Sequence, residues 1–239
     1  MSQKPGVVVQ TAQIPADEAM AGASIRTLVD TGGGEPGLVR RLVDLAPLAG
    51  LDGSAGAGGE LWFVIAGTGR LEMTGHGDVA LHPDRGFLLP PGCAYQVSTG
   101  PDAGLRIDTV SLPEAHGAAT GAPLSRDFAD CQIETTGDRQ FRVLFGPGRD
   151  CAVATQFVGE IPPGRAPDHS HPYDEVVLIL QGQGVAHIGG AEHALAAGTC
   201  AHLPPGLVHC LENTGAEILR VLGVFHPADS PAAKLQDHA

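Results

Sequence analysis

Four residues in the second half of the chain have side chains that bind transition metals, at spacings that would bring them together. His169, His171 and Glu175 stand at positions i, i+2 and i+6, and His209 follows further along the chain. Because the side chains of an extended strand alternate between its two faces, the first three would share one face. If a neighbouring strand contributes His209, three imidazoles and one carboxylate meet at one point.

This donor set predicts one divalent transition metal ion per chain. Imidazole and carboxylate ligands suit Fe, Mn, Ni, Cu and Zn, and the residue types do not choose among these metals. Four such side chains are costly to bury unless a metal or hydrogen-bonding partners compensate them. A single histidine would more simply be a loop residue or a satisfied polar group, but four ligand-type residues at these spacings favour the metal.

Other polar residues flank the candidate ligands. Tyr173 has the strand parity of Glu175, so it either donates a hydrogen bond to a metal-bound substrate or packs as an aromatic at the rim. Glu175 would double as a proton acceptor in catalysis. Arg165 could bind a substrate carboxylate, although a surface charge is the favoured interpretation. Asp168 and Asp174 alternate out of phase with the ligands and are expected to face solvent.

An internal repeat indicates which elements position these residues. Glu60–Gly69 aligns with Glu175–Gly184, and Leu89–Gly92 aligns with Leu203–Gly206, at an offset of 114 or 115 residues. Each copy consists of short apolar runs that end at Gly-x-Gly or Pro-Pro-Gly, which is typical of β-strands joined by tight turns. The ordered matches predict a duplicated all-β unit, built as a sandwich or barrel.

The first copy of the repeat retains one of the four candidate ligands. Glu60 corresponds to Glu175, but Ser54, Gly56 and Tyr95 occupy the three histidine positions. One carboxylate alone holds a divalent ion poorly. The first copy is therefore predicted to be a scaffold or dimer-forming module without a metal.

Two motifs in the second copy resemble those of the cupin superfamily. The family pattern Gly-x5-His-x-His-x3/4-Glu-x6-Gly is matched, with one residue fewer after the first glycine, by Gly164, His169, His171, Glu175 and Gly182. The pattern Gly-x5-Pro-x-Gly-x2-His-x3-Asn is matched at every spacing by Gly198, Pro204, Gly206, His209 and Asn213. The resemblance implies two tandem antiparallel β-barrels of the jelly-roll type, with the metal only in the C-terminal one.

The repeat and the composition along the chain predict five segments. They are an N-terminal extension (1–20), an N-terminal cupin without metal ligands (21–112), a linker with room for a short helix (113–137), a C-terminal metal-binding cupin (138–228) and a tail (229–239).

Charge and cysteine content limit the partners and the compartment. The net charge is −13, and only Lys4 and Lys234 supply lysine, so nucleic acid and anionic membranes would repel the chain. Five cysteines without a Cys-x-x-Cys pair fit thiols in a reducing cytoplasm better than a disulfide framework. No apolar run approaches the ~20 residues that span a bilayer. The expected partner is a small-molecule substrate, and a homodimer remains open.

The resembled superfamily includes oxygenases, decarboxylases, isomerases, aminohydrolases, storage proteins and sensors, so the fold does not name the reaction. The leading hypothesis is a metal-dependent enzyme that acts on a small oxygenated organic substrate, with dioxygenase-like chemistry as the first choice. The alternatives are a non-catalytic small-molecule-binding or regulatory cupin, and a metal-dependent isomerase or hydrolase.

Overall fold

The computed structural model describes residues 6–32, 37–114, 117–232 and 236–237 of the chain. Their regular secondary structure is β-strand, apart from two single-turn 3-10 helices at Thr11–Gln13 and Phe128–Asp130. The predicted all-β class is confirmed. Within the described residues, no helix is long and apolar enough to cross a membrane. Parts of the predicted extension and of the predicted tail lie outside the described residues.

The strands of the first half are short and follow one another closely. They are β1 (Val7–Gln10), β2 (Glu18–Met20), β3 (Ala23–Asp30), β4 (Val39–Leu45), β5 (Gly50–Ser54), β6 (Glu60–Gly67), β7 (Gly69–Met73), β8 (Gly77–Leu81), β9 (Arg85–Leu89), β10 (Ala94–Ser98), β11 (Leu105–Ser111) and β12 (Leu124–Asp127).

The second half continues in the same manner. Its strands are β13 (Glu134–Thr136), β14 (Arg139–Phe145), β15 (Thr155–Ile161), β16 (Gly164–Arg165), β17 (His169–Ser170), β18 (Asp174–Gln181), β19 (Gln183–Ile188), β20 (Ala191–Ala196), β21 (Thr199–Leu203), β22 (His209–Asn213), β23 (Leu219–His226) and β24 (Gln236–Asp237).

The chain forms two compact units. The N-terminal unit comprises Ile14–Cys131 and Asp150–Val153. The C-terminal unit comprises the described residues up to Gln13, the segment Gln132–Arg149 and the described residues from Ala154 onward. The segment boundaries predicted from the sequence remain predictions.

Each unit contains a seven-stranded antiparallel sheet, and the two sheets share one strand order. The order in the N-terminal unit is β12-β9-β6-β11-β4-β3-β2, and in the C-terminal unit it is β1-β21-β18-β23-β15-β14-β13. The second sheet of the N-terminal unit has the order β5-β10-β7-β8. The second sheet of the C-terminal unit has the order β20-β19-β22-β17-β24, with β16 also paired to β22.

One edge strand of each seven-stranded sheet, β1 or β12, comes from a segment outside the repeat. β1 lies in the predicted N-terminal extension and pairs with β21, from Val7 opposite His202 to Gln10 opposite Thr199. β12 lies in the predicted linker and pairs with β9, starting with Leu124 opposite Leu88. Both segments thus cover a strand edge that would otherwise expose unpaired backbone groups. The short helix expected in the linker corresponds in position to the 3-10 turn Phe128–Asp130.

The Gly-x-Gly turns of the repeat require glycine for steric reasons. Gly67 and Gly182 have φ angles of +81° and +90°. A Cβ atom at Gly182 would lie 2.9 Å from the backbone oxygen of Ile218. These residues therefore end β6 and β18 at equivalent places in the two units.

A buried ion pair joins two central strands of the N-terminal unit. Arg40 on β4 donates to both carboxylate oxygens of Asp108 on β11, at 2.7 and 3.0 Å. Both side chains are fully buried. The two charges therefore compensate one another in the apolar core.

Replacing Arg40 by leucine should destabilise the N-terminal unit by about 3–5 kcal/mol, because Asp108 would keep a buried charge without its partner. The double variant Arg40→Leu/Asp108→Leu should recover most of this loss. Chemical denaturation followed by fluorescence of Trp62, the single tryptophan of the chain, measures the change. Trp62 is buried in the same unit.

A matched control is Arg70→Leu, which breaks the ion pair of Arg70 with Asp78 at 2.8 Å on exposed strands. Arg70→Leu should lower the free energy of unfolding by less than about 1 kcal/mol. A double variant less stable than Arg40→Leu alone would contradict the interpretation.

Candidate metal centre

The predicted ligands are carried by both sheets of the C-terminal unit. His169 lies on β17 and pairs with His209 on β22, within the six-stranded sheet that also contains β19 and β20. Glu175 lies on β18, in the seven-stranded sheet, opposite Leu203 and Phe225. The site is therefore built where two strands of different sheets carry polar side chains into one interior.

The strand alternation on which the sequence prediction rested does not describe this segment. β17 ends at Ser170 and β18 begins at Asp174, so the chain changes sheets between them. His171 lies in this connection, next to Pro172, which cannot donate a ladder hydrogen bond. His169 and Glu175 thus approach one another across two sheets, and not along one face of one strand.

Three of the four predicted ligands converge closely. The Nε2 atom of His171 lies 3.0 Å from Oε2 of Glu175, and Nε2 of His209 lies 3.8 Å from the same oxygen. The potential ligand atoms of these three residues all lie within 4.8 Å of one another. His169 lies beside them, with its ring centroid 4.4 Å from that of His209, but outside the three-residue group.

Backbone carbonyl groups orient the three imidazoles in the same way. Nδ1 of His171 lies 2.8 Å from the oxygen of Tyr173, and Nδ1 of His209 lies 2.8 Å from that of Leu207. Nδ1 of His169 lies 3.1 Å from the oxygen of Pro167. Because a carbonyl oxygen only accepts, each Nδ1 must donate, which leaves the lone pair of a neutral imidazole on Nε2.

Burial and the neighbouring charges set the protonation of the group. Burial lowers the pKa of His209 to about 4, and the nearby His169 and His171 act in the same direction. Burial would raise the pKa of Glu175, but its hydrogen bond to His171 and the three histidine charges outweigh that and lower it. For His171, burial would lower the pKa, but the hydrogen bond to Glu175 and the charge of that carboxylate outweigh it and raise the pKa. His209 is therefore a neutral imidazole and Glu175 an ionised carboxylate at neutral pH, which are the forms that bind metals.

The donor set fits one divalent transition metal ion. His171, Glu175 and His209 would hold it, and His169 lies beside them as the fourth candidate donor. Imidazole and carboxylate donors do not distinguish Fe, Mn, Ni, Cu and Zn. Within the described ranges of the chain, no other group of three or more His, Cys, Asp or Glu side chains is close enough to share an ion.

The ligands line a cavity of about 380 Å³. Most of its wall is apolar, and the aromatic residues Phe141, Phe157 and Phe225 contribute to it. Arg139 and Arg165 are the cationic residues of the lining. A cavity of this size and composition can take a small organic molecule beside the metal ligands.

Tyr173 supports a ligand of the centre by direct contact. Its ring stacks on the His171 imidazole, with the centroids 4.2 Å apart and the planes 5° from parallel, and it also contacts Phe225. The side chain is buried and lines the cavity. Burial and the charge of Glu175 raise the pKa of Tyr173, so its hydroxyl stays protonated at neutral pH. A catalytic role for this hydroxyl remains a prediction.

Asp168 and Asp174, which flank the candidate ligands, differ in their exposure and in their partners. Asp168 is exposed and pairs with Arg165 at 3.0 Å, as expected for a surface pair. The expectation that Asp174 faces solvent was wrong, because it is half-buried and its Oδ1 atom lies 2.6 Å from Nε2 of His202. The pairing arises because β18 and β21 are neighbours in the sheet.

Two further residues shape the site: the sequence marked Asn213 only as a motif position, and it did not mark Arg139. Asn213 is buried and donates to the carbonyl oxygens of Ile161 and Glu217, both at 2.8 Å. It thereby holds the turn after β22, the strand that begins with His209. Arg139 begins β14 and lines the cavity. In the sequence, Arg139 shares only its strand parity with Phe141. Parity does not reveal which interior the strand faces, so it does not mark Arg139 as a residue of the site.

The corresponding positions of the N-terminal unit have other partners. Glu60 is buried and accepts hydrogen bonds from Nε1 of Trp62 at 2.7 Å and from the hydroxyl of Ser111 at 3.3 Å. The ring of Tyr95 packs edge-on against Trp62, with the centroids 4.6 Å apart. Ser54 lies on β5, opposite Ala94. Protein groups and aromatic packing thus occupy the place that the metal ligands have in the C-terminal unit.

Part of the chain matches a known domain family. Residues 157–225 match the cupin domain family, and all four candidate ligands lie within this range. None of the curated protein sequences compared with the chain matches it.

Solved structures share the fold over nearly the whole chain. A protein of Pseudomonas aeruginosa named as glyoxylate induced superposes with a TM-score of 0.77 and 17% identity, over 96% of this chain and 92% of its own. The Lactobacillus farciminis oxalate decarboxylase formate complex has a TM-score of 0.76 and 14% identity, over 96% and 88%. Protein Ylba from E. coli has a TM-score of 0.77 and 14% identity, over 95% and 93%. At these identities the likeness establishes the fold alone, and the predicted jelly-roll class is confirmed.

Replacing His209 by alanine or Glu175 by glutamine should weaken metal binding by well over tenfold, since losing even a residue that supports a ligand costs about 10–100-fold. Elemental analysis of protein purified without added metal, followed by competition with a chelator, measures the effect. The matched control is His193→Ala, which removes a half-buried histidine on β20 that does not line the cavity. Unchanged occupancy in both ligand variants would place the metal elsewhere.

Proposed function

We propose that this chain is a metal-dependent cupin enzyme that acts on a small oxygenated organic molecule, with dioxygenase-like chemistry as the leading subclass. The observation that carries the proposal is the convergence of His171, Glu175 and His209, with His169 beside them, on the wall of a cavity of about 380 Å³. A buried group of metal donors that opens onto space for a ligand is the arrangement of a catalytic centre.

His169, His171, Glu175 and His209 would hold a divalent ion, which would supply Lewis-acid chemistry toward a substrate oxygen or, with a redox-active metal, oxygenase chemistry. The residues of the chain supply the rest of the chemistry. Glu175 is a buried carboxylate that lines the cavity, and it serves as a proton acceptor. The apolar wall that includes Phe141, Phe157 and Phe225 excludes water from the substrate.

The similar structures support this class of substrate without deciding it. One of them is named an oxalate decarboxylase, and oxalate is a small oxygenated molecule. Because the identity to it is 14%, the reaction of that protein is not carried over. The oxygenase subclass rests on the coordination chemistry of the donor set.

We propose that the N-terminal unit is a second cupin that has no metal site. Two observations support this: the sequence repeat at an offset of 114 or 115 residues, and the shared strand order of the seven-stranded sheets. The carboxylate of Glu60 accepts hydrogen bonds from Trp62 and Ser111, and among the described residues no second group of metal donors accompanies it. A homodimer and a cytoplasmic location stay predictions.

The enzymatic proposal predicts substrate-dependent consumption of oxygen by the metal-loaded protein. We expect stoichiometric Fe, Mn, Ni or Cu by elemental analysis, and oxygen uptake with at least one member of a panel of flavonols, diketones and catechols. His209→Ala should abolish the uptake, whereas His193→Ala should leave it unchanged. Stoichiometric Zn without oxygen uptake would overturn the oxygenase subclass in favour of hydrolysis, isomerisation or binding.

Tyr173 offers a test of whether its hydroxyl or its ring is needed. Tyr173→Phe keeps the stack on His171 and removes the hydroxyl, so a catalytic hydroxyl predicts a fall in kcat of about 100-fold, comparable to the loss of one oriented donor. Metal content should not change in this variant. Tyr173→Leu, which also removes the stack, should weaken metal binding. Full activity of Tyr173→Phe would assign Tyr173 to packing alone.

A further inference from the structure

A tight hairpin places a cationic side chain at the cavity that holds the candidate metal ligands. β13 and β14 are joined by the two-residue loop of Gly137 and Asp138, with Thr136 opposite Arg139. Gly137 has a φ angle of +62°, as the first position of such a loop requires. Arg139 is therefore the first residue of β14, and it lines the cavity together with Phe141 of the same strand.

The guanidinium of Arg139 is anchored close to the metal ligands. Its Nη2 atom donates to the backbone oxygen of Leu211 at 3.0 Å. Leu211 is two residues beyond His209 on β22, a rise of about 7 Å along a strand. The guanidinium and the imidazole thus lie within the length of one small molecule.

The charge of Arg139 is not compensated by an acidic partner. Among the residues that the structure describes, no Asp or Glu forms an ion pair with it, and the neighbouring Asp138 acts on it only through its charge. The side chain is half-buried, and this burial lowers the pKa of Arg139. A partly desolvated guanidinium that forms no ion pair favours an anion in the space that it faces.

The second arginine of the cavity has a different environment. Arg165 pairs with Asp168 at 3.0 Å, and 47% of its side chain is exposed. Its charge is compensated within the chain, and water screens what remains. The two arginines of the cavity therefore differ in ion pairing: Arg165 is paired with a carboxylate of the chain, and Arg139 is available to an anion.

We propose that Arg139 forms the anion subsite of this cavity and binds the carboxylate of a substrate whose apolar body lies along the aromatic wall and whose other end presents an oxygen to the metal centre. This inference rests on the proposed function and names its substrate class: small amphipathic carboxylates. The fork of the guanidinium matches a carboxylate with two parallel hydrogen bonds. Phe141 and Phe157 on the wall favour an unsaturated or aromatic body.

The test is the binding of 4-hydroxyphenylacetate and of its neutral amide, 4-hydroxyphenylacetamide, to the metal-loaded full-length protein by calorimetry. The acid should bind about 10–100-fold more tightly than the amide, the range expected for a charge-assisted contact. In Arg139→Met, which keeps the apolar stem, this preference should fall to about threefold or less. Arg139→Lys, which keeps the charge but loses the fork, should lie between the two.

Arg165→Met is the matched control and should retain the preference for the acid. Metal content and circular dichroism of each variant establish that the fold and the centre are intact. The proposal is overturned if the wild-type protein binds acid and amide equally, if it binds neither, or if Arg139→Met keeps the full preference.

The outcomes separate this inference from the proposed function. A protein with stoichiometric metal and substrate-dependent oxygen uptake, but without an Arg139-dependent preference, loses the anion subsite and keeps the enzymatic assignment. A protein without bound metal that still prefers the acid through Arg139 loses the enzymatic assignment and keeps the subsite.

Discussion

The candidate metal centre depends on hydrogen bonds between histidine Nδ1 atoms and backbone carbonyl groups. In each of His169, His171 and His209 the acceptor is a residue two positions away. Such a contact forms only where the chain departs from extended geometry, because in a straight strand the side chain and the nearby carbonyl groups point in different directions. Proline and glycine next to the ligands, such as Pro172 and Gly206, provide these departures. The imidazoles are thereby oriented by local backbone structure before any metal binds, which reduces the cost of assembling the site.

The two units show how one fold can serve two purposes. Both seven-stranded sheets have the same strand order, and both place a buried glutamate near the start of the equivalent strand. In the N-terminal unit, Trp62 and Ser111 satisfy the carboxylate of Glu60, and aromatic rings fill the space. In the C-terminal unit, imidazoles satisfy the carboxylate of Glu175, and a cavity adjoins them. A buried carboxylate must have partners in either case, and the chemistry of those partners decides whether the unit is a scaffold or a site.

The arginine side chains also differ in whether a carboxylate of the chain compensates their charge. The chain is strongly acidic, and its arginines have many carboxylates available. Arg40 is paired in the core with Asp108, and Arg165 is paired at the surface with Asp168. Arg139 instead directs its hydrogen bond to a backbone oxygen, and it lines the ligand cavity. The difference lies in the packing around each side chain, since the hairpin that carries Arg139 leaves no acidic group within ion-pair distance among the described residues.

The sequence alone determined the strand content, the repeat and the identities of the candidate ligands, because each of these follows from local chemistry. Apolar runs that end at glycine and proline make short strands wherever they occur, and His and Glu are metal donors in any fold. Only the tertiary structure decided that Glu175 and His169 lie on different sheets, that β1 completes the sheet of the C-terminal unit, and that Arg139 reaches Leu211. Each of these depends on strands that pair across large separations in the chain, such as the 72 residues between Arg139 and Leu211. Strand alternation gives the side of a strand on which a residue lies, but which strands become neighbours is decided by the packing of the whole sheet.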